Sequence, residues 1–320
     1  MVTLKELRTE ELFLPGNASC PGCMLSLAIR MALKVLGPNT VMTVPACCSA
    51  VIQGYYPRSS SMIPTLNTAF AAAAATASGI SAALELSGRG ETSVVAWAGD
   101  GGTADIGIQG LSGAAERGEN FIYICYDNEA YMNTGTQSSS ATPTGAATTT
   151  AIRGKAEPKK DVPAIMVAHG VPYVATACAA FPLDFADKIK KAMSIRGLKY
   201  IQILTPCPPG WRYPTERGVD VGRMAVMTGS WILYEWQGGR YSLTGPSKGL
   251  LDRPRRRPLA DYLRMQGRFG QLGDAEVARL QDELDARWAG MPRRLEGGAG
   301  RGDGRRRPGR GGPRRGRVPG

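Results

Sequence analysis

The chain has 320 residues, of which 43% are apolar, and this is enough for one large α/β domain with a sizeable core or for two small domains. Its net charge of +12 would suggest a nucleic acid or another acidic partner, but ten arginines and two acidic residues after position 290 give that segment alone a charge of +8. The remaining chain is nearly balanced, and its composition therefore disfavours nucleic-acid binding as the main function.

The seven cysteines help to predict the cellular compartment, because the redox state of thiols differs between compartments. The amino-terminal segment is charged and lacks the long apolar core of a signal peptide, so we expect reduced thiols or metal ligands rather than disulfides, and a cytoplasmic protein. Cys125 and Cys178 lie in apolar segments and are interpreted as core residues. The alanine-rich segment 68–87 is too weakly apolar for a membrane span, and we interpret it as a buried helix.

Short apolar segments rich in β-branched residues alternate with longer helical segments in the first two thirds of the chain. The predicted strands are 40–44, 93–98, 121–126, 172–175 and 200–204, and the predicted helices are 24–36, 68–87, 106–117 and 184–195. Apolar strands separated by helices predict an α/β fold, with helices on both faces of a parallel sheet. The segment 134–160, rich in Thr, Ser, Gly and Ala, is too long for a plain connection and is expected to be functional or mobile.

The alternating pattern weakens after residue 210, and we divide the chain there. Residues 1–210 form the predicted main domain, and residues 211–290 form a C-terminal helical extension that packs on this domain or on a partner. The Arg/Gly-rich residues 291–320 cannot build a core, so we predict a disordered, solvated tail, with RNA binding as the alternative. Within the extension, residues 274–288 predict an amphipathic helix whose apolar face consists of Val277, Leu280, Leu284 and Trp288.

A glycine-rich turn follows the predicted strand 93–98. Its glycines, Gly99, Gly101 and Gly102, allow the backbone to approach a ligand, and the following helix presents free N–H groups to a phosphate. Asp100 would repel a bare phosphate, but it suits a site in which Mg²⁺ lies between the carboxylate and the phosphate. The turn lacks the G-x-G-x-x-G pattern of a dinucleotide site, and the sequence contains no Walker A loop.

The next predicted strand, 121–126, runs into the residues DNEA, which contain Asn128 and Ala130. Because the parallel strands of a βαβ unit open on the same edge of the sheet, Asn128 can meet Asp100 at one metal ion. Asn128 would contribute its side-chain oxygen, and Ala130 would contribute its backbone carbonyl. The two strand ends together predict a metal–diphosphate site.

Four cysteines lie at predicted loop positions: Cys20 and Cys23 form a C-x-x-C, Cys48 lies in PACCSAV and Cys207 lies in LTPCPPGW. Four thiolates suit either a tetrahedral Zn²⁺ or a [4Fe–4S] cluster. Zinc ribbons usually pair two C-x-x-C segments, whereas here one such segment joins two distant single cysteines, and this spacing favours the cluster. Cys47, the neighbour of Cys48, is an alternative ligand.

Two motifs together resemble those of a known enzyme family. The GDG at 99–101 with Asn128 resembles the thiamine diphosphate signature. The longer string YDNEAYMNTGTQSSSATPTGA, residues 126–146, resembles the pyruvate:ferredoxin oxidoreductase family, one of the 2-oxoacid:ferredoxin oxidoreductases. The cysteine segments described above are similar to those that bind this family's proximal cluster. The resemblance spans roughly residues 4–288.

The resemblance implies thiamine diphosphate as a cofactor, with Mg²⁺ held by Asp100, Asn128 and the Ala130 carbonyl. It places Asn133 and Thr134 beside the diphosphate and the reactive ring, and it gives Asn133 a catalytic role. It also implies a [4Fe–4S] cluster, for which it favours Cys48 over Cys47, on the thiolates of Cys20, Cys23, Cys48 and Cys207.

The activity that the resemblance implies is the CoA-dependent oxidative decarboxylation of pyruvate to acetyl-CoA and CO₂, with electrons passing through the cluster to ferredoxin. The chain resembles the β subunit, so further subunits are implied: an α subunit that supplies the glutamate facing the cofactor, a γ subunit and a ferredoxin-like δ subunit. The same chemistry on 2-oxoisovalerate, oxalate or 2-oxoglutarate is the alternative within the family. A zinc-stabilised, non-catalytic binding protein is the alternative outside it.

Overall fold

A computed structural model of the chain describes residues 2–296. Its centre is an eight-stranded sheet, whose strands are β1 (Thr40–Pro45), β2 (Thr65–Thr68), β3 (Ser93–Gly99), β4 (Ile122–Asp127), β5 (Tyr173–Cys178), β6 (Lys199–Leu204), β7 (Tyr234–Gln237) and β8 (Arg240–Leu243). They lie in the order β2-β1-β3-β4-β6-β5-β7-β8. The six strands from β1 to β6 are parallel, and β7 and β8 add an antiparallel hairpin at one edge.

Helices cover both faces of this sheet. Their bounds are α1 Met24–Leu36, α2 Cys48–Gln53, α3 Ala73–Leu86, α4 Ile108–Arg117, α5 Val162–Ala168, α6 Pro182–Met193, α7 Pro208–Trp211, α8 Gly218–Met227, α9 Leu259–Leu263, α10 Asp274–Ala289 and α11 Met291–Glu296. Neighbouring side chains of β3 point to opposite faces of the sheet. Trp97 packs in the core cluster that contains residues of α1 and α6, and Ala96 packs in the cluster that contains residues of α3, α4 and α5. The predicted α/β fold is confirmed, and Cys178 and Cys125 are core residues, as predicted.

Five of the six parallel strands were predicted from the sequence to within a few residues. Sequence reasoning missed several short elements, since β2, β7 and β8 have four residues each, α2 has six and α5 has seven, and it also missed the ten-residue helix α8. Segments of four to seven residues show no clear hydrophobic period, because they contain at most about two turns of a helix or two repeats of a strand.

The helix predicted over 68–87 needs correction at its start and in its burial. Thr68 ends β2, and α3 begins at Ala73. Only one side of α3 is buried, and near its end Leu86 is 91% exposed. Across residues 2–296, no helix has both the length and the apolar character that a membrane crossing requires.

The C-terminal extension packs on the sheet domain. Its predicted amphipathic helix is confirmed as α10, in which Leu284 and Trp288 are buried in the same core cluster as the sheet. The predicted disorder is wrong for residues 291–296, because they form α11, with Met291 buried in that cluster. Residues 297–320 of the predicted tail lie outside the described residues. The division of the chain at residue 210 stays a prediction.

Candidate active site

The ends of β3 and β4 lie side by side, because the two strands are parallel neighbours with Gly99 opposite Tyr126. Asp100 directly follows β3, and Asn128 directly follows β4. One atom of the Asn128 side-chain amide lies 2.9 Å from Asp100 Oδ1 and 3.0 Å from the Ala130 carbonyl oxygen. The structure therefore brings the three predicted magnesium ligands together.

The spacing of these groups suits a bound Mg²⁺. Oxygens on neighbouring corners of a magnesium octahedron are about 3 Å apart, since each lies about 2.1 Å from the metal. Without a cation, the amide NH₂ of Asn128 can donate hydrogen bonds to Asp100 and to the Ala130 carbonyl. Rotating the amide by half a turn presents its oxygen instead, so the same side chain suits both states.

Asp100 is buried, and Ser139 Oγ donates a hydrogen bond of 2.6 Å to its Oδ2. Burial and the neighbouring carboxylate of Asp127 raise the pKa of Asp100 well above its usual value. A buried carboxylate beside a second carboxylate is costly to ionise unless a cation accompanies it. The electrostatics of this position therefore favour a bound cation.

A set of buried charges lies behind these ligands. Lys159 Nζ is 2.7 Å from Asp127 Oδ2 and 2.8 Å from Glu129 Oε1, and Arg268 Nη2 is 2.6 Å from Glu129 Oε2. Gln202 Nε2 also donates to Asp127 Oδ2, at 2.6 Å. Burial raises the pKa of Asp127. Burial alone would raise the pKa of Glu129 too, but the two cations hold it below its usual value.

The residues that sequence reasoning missed are Asp127, Ser139, Lys159 and Arg268. Two of them belong to the segment between β4 and α5, residues 128–161, which forms neither helix nor strand. This segment lies over the strand ends, since Ser139 bonds to Asp100, and Lys159 pairs with Asp127. Composition indicated that the segment is unusual, but it does not show which side chains reach the site.

The glycines of the turn are explained by packing within this chain. A Cβ at Gly101 would lie 2.2 Å from the ring of Tyr131. A Cβ at Gly99 would lie 3.0 Å from the Tyr126 hydroxyl. These rings supply a steric reason for glycine other than the predicted approach of the backbone to a ligand. A role of the turn in cofactor binding stays a prediction.

Asn133 and Thr134 lie on an exposed turn. The turn is closed by the backbone hydrogen bond from Tyr131 N to the Gln137 carbonyl, at 2.9 Å, and Thr134 Oγ1 donates to Gln137 Oε1 at 2.5 Å. Both predicted cofactor contacts are thus accessible from outside the chain. Their role stays a prediction.

The four predicted cluster thiols lie near one another beside the oxygen ligands. Cys23 precedes α1, Cys48 is the first residue of α2 and Cys207 precedes α7. The Cys48 thiol interacts electrostatically with those of Cys207 and Cys23, and the Cys207 thiol interacts with those of Cys23 and Cys20. Burial raises the pKa of Cys207 to about 12. Coordination to a metal would lower the pKa of this thiol, because a thiol that binds a metal loses its proton.

Cys47 and Cys48 face different surroundings. The Cys47 thiol is buried and interacts with the Tyr126 hydroxyl. The Cys48 Sγ instead lies 4.0 Å from the side-chain amide of Asn128. This arrangement favours Cys48 over Cys47 as a ligand.

One buried polar group beside the thiols has no partner. The Tyr213 hydroxyl makes no hydrogen bond within residues 2–296, and it interacts electrostatically with the thiols of Cys207 and Cys23. A sulfur-ligated cluster can accept a hydrogen bond at such a position. No three Cys, His, Asp or Glu side chains of the described chain converge as one bound ion would require.

Asn128 connects the oxygen ligands with the thiols. Its amide adjoins Asp100 on one side and Cys48 on the other. Its backbone carbonyl accepts a hydrogen bond of 2.8 Å from Trp211 Nε1, and Trp211 ends the short helix that follows Cys207. The candidate metal ligand is therefore linked to two of the thiol-bearing segments.

Comparisons with known proteins agree with this geometry. A family model described as the C-terminal TPP binding domain of thiamine pyrophosphate enzymes matches residues 46–203. The solved 2-oxoglutarate:ferredoxin oxidoreductase from Magnetococcus marinus shares the fold, with a TM-score of 0.54 and 24% identity over 68% of this chain and 79% of that chain. Fold and site together define a thiamine pyrophosphate-binding domain.

Curated relatives make the assignment more specific. The pyruvate synthase subunit PorB of Methanothermobacter marburgensis is 50% identical over 283 residues, which cover 87% of this chain and 96% of the relative. The ketoisovalerate oxidoreductase subunit VorB of Pyrococcus horikoshii is 44% identical over 297 residues, which cover 90% and 94%. The chain belongs to the 2-oxoacid:ferredoxin oxidoreductase family and is a subunit of such an enzyme. The predicted resemblance is confirmed, and the alternative of a non-catalytic zinc protein is wrong.

Proposed function

We propose that the chain is the thiamine diphosphate-binding β subunit of a pyruvate:ferredoxin oxidoreductase. In this reaction pyruvate and coenzyme A give acetyl-CoA and CO₂, and two electrons pass through a [4Fe–4S] cluster to ferredoxin. The observation that carries the proposal is the position of Asn128, whose amide adjoins both Asp100 and Cys48. A diphosphate site beside a redox cluster combines the two components that an oxidative decarboxylation needs.

The oxygen ligands would hold the thiamine cofactor through its metal. Asp100, Asn128 and the Ala130 carbonyl would bind Mg²⁺, and Mg²⁺ would bind the diphosphate. When bound, thiamine diphosphate supplies the electron sink for cleavage of the bond between the keto carbon and the carboxylate. The further cofactor contacts are proposed at Gly99, Gly101, Gly102, Asn133 and Thr134, with Asn133 as the catalytic residue.

The thiols of Cys20, Cys23, Cys48 and Cys207 would hold the cluster, which supplies one-electron transfer. Cys23 directly precedes the 13-residue helix α1, and burial raises the pKa of its thiol, so coordination to iron would have to remove this proton. All seven cysteines are free thiols. This supports a reducing, cytoplasmic setting.

The partners are proposed from the relatives and from the exposed turn. PorB and VorB are named as subunits, so further chains are expected. Asn133 and Thr134 are exposed, and we propose that an α subunit covers them and supplies the glutamate that faces the cofactor. A γ subunit and a ferredoxin-like δ subunit would complete the electron path.

Pyruvate is the proposed substrate, because three PorB relatives are 49–50% identical to this chain, while two further PorB relatives are 42–43% identical. The VorB relatives, at 43–44% identity, make 2-oxoisovalerate the second candidate. The two acids differ by two methyl groups, and each methylene in an apolar pocket changes the specificity by about 10- to 200-fold. The ratio of kcat/KM for the two acids decides between them.

The proposal is tested on the assembly that co-purifies with the tagged chain under anaerobic conditions. We expect iron and sulfide in the sample, and a reduction of viologen dye that requires both pyruvate and CoA. A sample with bound zinc and no iron, or dye reduction that is independent of CoA, would contradict the proposal.

A further inference from the structure

We propose that Arg268 is a positioning residue for the magnesium ligands: by holding Glu129 and Trp211, it fixes the peptide that joins Asn128 to Glu129. The inference rests on the proposed function, because it assumes that Asn128 and Ala130 bind the metal. Glu129 lies between these two ligands, and it has a φ of +65°. This left-handed conformation is unfavourable for a residue other than glycine, so the surrounding contacts must maintain it.

Glu129 is held at every polar group. Its carboxylate pairs with Arg268 at 2.6 Å and with Lys159 at 2.8 Å. Its N–H donates to Asp127 Oδ1 at 3.1 Å, and its carbonyl accepts from Thr142 Oγ1 at 2.7 Å. A change in the backbone dihedral angles of Glu129 would rotate the two peptide planes that join it to Asn128 and to Ala130.

Arg268 closes a ring of contacts around Asn128. Its guanidinium carbon lies 3.9 Å from the centre of a Trp211 ring, and the Trp211 indole donates to the Asn128 carbonyl at 2.8 Å. Arg268 is 2% exposed, and its Nε donates to Gln266 Oε1 at 2.9 Å. The planar guanidinium can stack on an indole and pair with a carboxylate at the same time, whereas a lysine ammonium cannot reproduce both contacts.

The chain offers a matched control in Arg256. This arginine is also buried, it lies over the Trp288 ring at 5.2 Å, and it pairs with Asp285 at 3.0 Å. It belongs to the same C-terminal extension, but its partners are remote in sequence from Asn128. Substitution of Arg256 thus measures the general cost of losing a buried, stacked arginine.

The test is calorimetric titration of thiamine diphosphate into the anaerobic, co-purified assembly at a series of Mg²⁺ concentrations. We expect Arg268→Met to raise the Mg²⁺ concentration for half-maximal binding by about 10- to 100-fold, as loss of a residue that orients metal ligands does. Arg268→Lys and Trp211→Phe should give smaller increases, while the visible absorbance of the cluster stays. Arg256→Met should leave the Mg²⁺ requirement unchanged.

Wild-type Mg²⁺ requirements in the Arg268 variants would overturn the inference, and so would an equal increase in Arg256→Met. If Arg268→Met does not fold, then Arg268→Lys and Trp211→Phe decide by the same criterion. Asp100→Ala in the same titration separates this inference from the proposed function. Loss of binding in Asp100→Ala with wild-type behaviour in the Arg268 variants refutes the inference alone, whereas Mg²⁺-dependent binding by Asp100→Ala refutes the proposed site itself.

Discussion

Asp100 shows how one buried side chain can combine binding and proton release. Its pKa is raised by burial and by Asp127, so the metal-free chain retains a proton there at a pH at which a free aspartate has lost it. A cation that binds the carboxylate must displace this proton. Cofactor binding at the proposed site would then depend on pH through this residue.

The first prediction concerns the pH dependence of Mg²⁺ binding. The pKa of Asp100 is raised in the metal-free state, so Mg²⁺ affinity should fall as the pH is lowered through that pKa, by about tenfold per pH unit. The pH range to be tested begins at the ordinary aspartate pKa of about 4 and extends upward to the raised pKa of Asp100. Titration of Mg²⁺ in buffers of different ionisation enthalpy would show one proton released per ion. Affinity that is constant across this window would contradict the prediction.

The second prediction separates the two halves of the site. Asp100→Ala should weaken Mg²⁺-dependent thiamine diphosphate binding by more than about 100-fold, because it removes a direct ligand rather than a residue that orients one. The cluster absorbance near 400 nm should remain. Asp100→Asn is the matched variant, since it keeps the shape but not the charge. Unchanged cofactor binding in both variants would show that Asp100 is not a ligand.

The third prediction compares neighbouring thiols. Cys207→Ala and Cys48→Ala should lose the cluster absorbance and its iron while they retain Mg²⁺-dependent cofactor binding. Cys47→Ala is the control, because that thiol is buried and interacts with the Tyr126 hydroxyl, whereas its neighbour Cys48 interacts with the thiols of Cys207 and Cys23. Iron content and visible spectra of the anaerobic proteins measure the effect. Loss of iron in Cys47→Ala alone would reassign the ligand.

At the scale of elements, the long segment between β4 and α5 has a structural role that its composition does not reveal. Ser139 donates to Asp100, Lys159 bridges Asp127 and Glu129, and Lys160 Nζ donates to the Ala104 carbonyl at 2.5 Å. The segment thus supplies the hydrogen bonds and the positive charge that two strand ends rich in carboxylates require. Sequence reasoning predicted that it is functional or mobile, and its contacts favour function.

The fourth prediction concerns the stability of this element. Lys159→Met leaves the buried carboxylates of Asp127 and Glu129 without a shared cation, and it should lower the free energy of unfolding by about 3–5 kcal/mol. Lys160→Met is the control, since Lys160 is 37% exposed and its pair with Asp105 is 3.6 Å long. An exposed pair of this kind contributes about 1 kcal/mol or less. Urea unfolding followed by circular dichroism would measure both, and equal losses would contradict the prediction.

At the scale of the whole molecule, the sheet brings together segments that are far apart in the sequence. The thiols come from three segments, at Cys20 and Cys23, at Cys48 and at Cys207, and the oxygen ligands come from the ends of β3 and β4. The C-terminal extension contributes as well, since Arg268 reaches Glu129 at 2.6 Å. Contacts from the extension thus reach the strand ends, and the division at residue 210 stays a prediction.

The sequence by itself determined the class of fold, and it predicted the types of ligand at the proposed site. Alternating apolar strands and helices are a local pattern, so β1, β3, β4, β5 and β6 could be placed from it. The order of β3 and β4 along the chain then predicted that Asp100 and Asn128 would meet, because successive parallel strands end on the same edge of a sheet. The motifs around them carried the resemblance to the family.

Only the tertiary structure decided which side chains support those ligands. Three features leave no periodic signal in the sequence: the pairing of Glu129 with Arg268, the contact of Cys47 with Tyr126, and the Tyr213 hydroxyl, which has no partner among residues 2–296. Such contacts join residues that become neighbours only when the core is packed, and packing depends on the shapes of many side chains at once. A local hydrophobic period shows which face of a helix or strand is buried, but it does not show which residue of another element packs against that face.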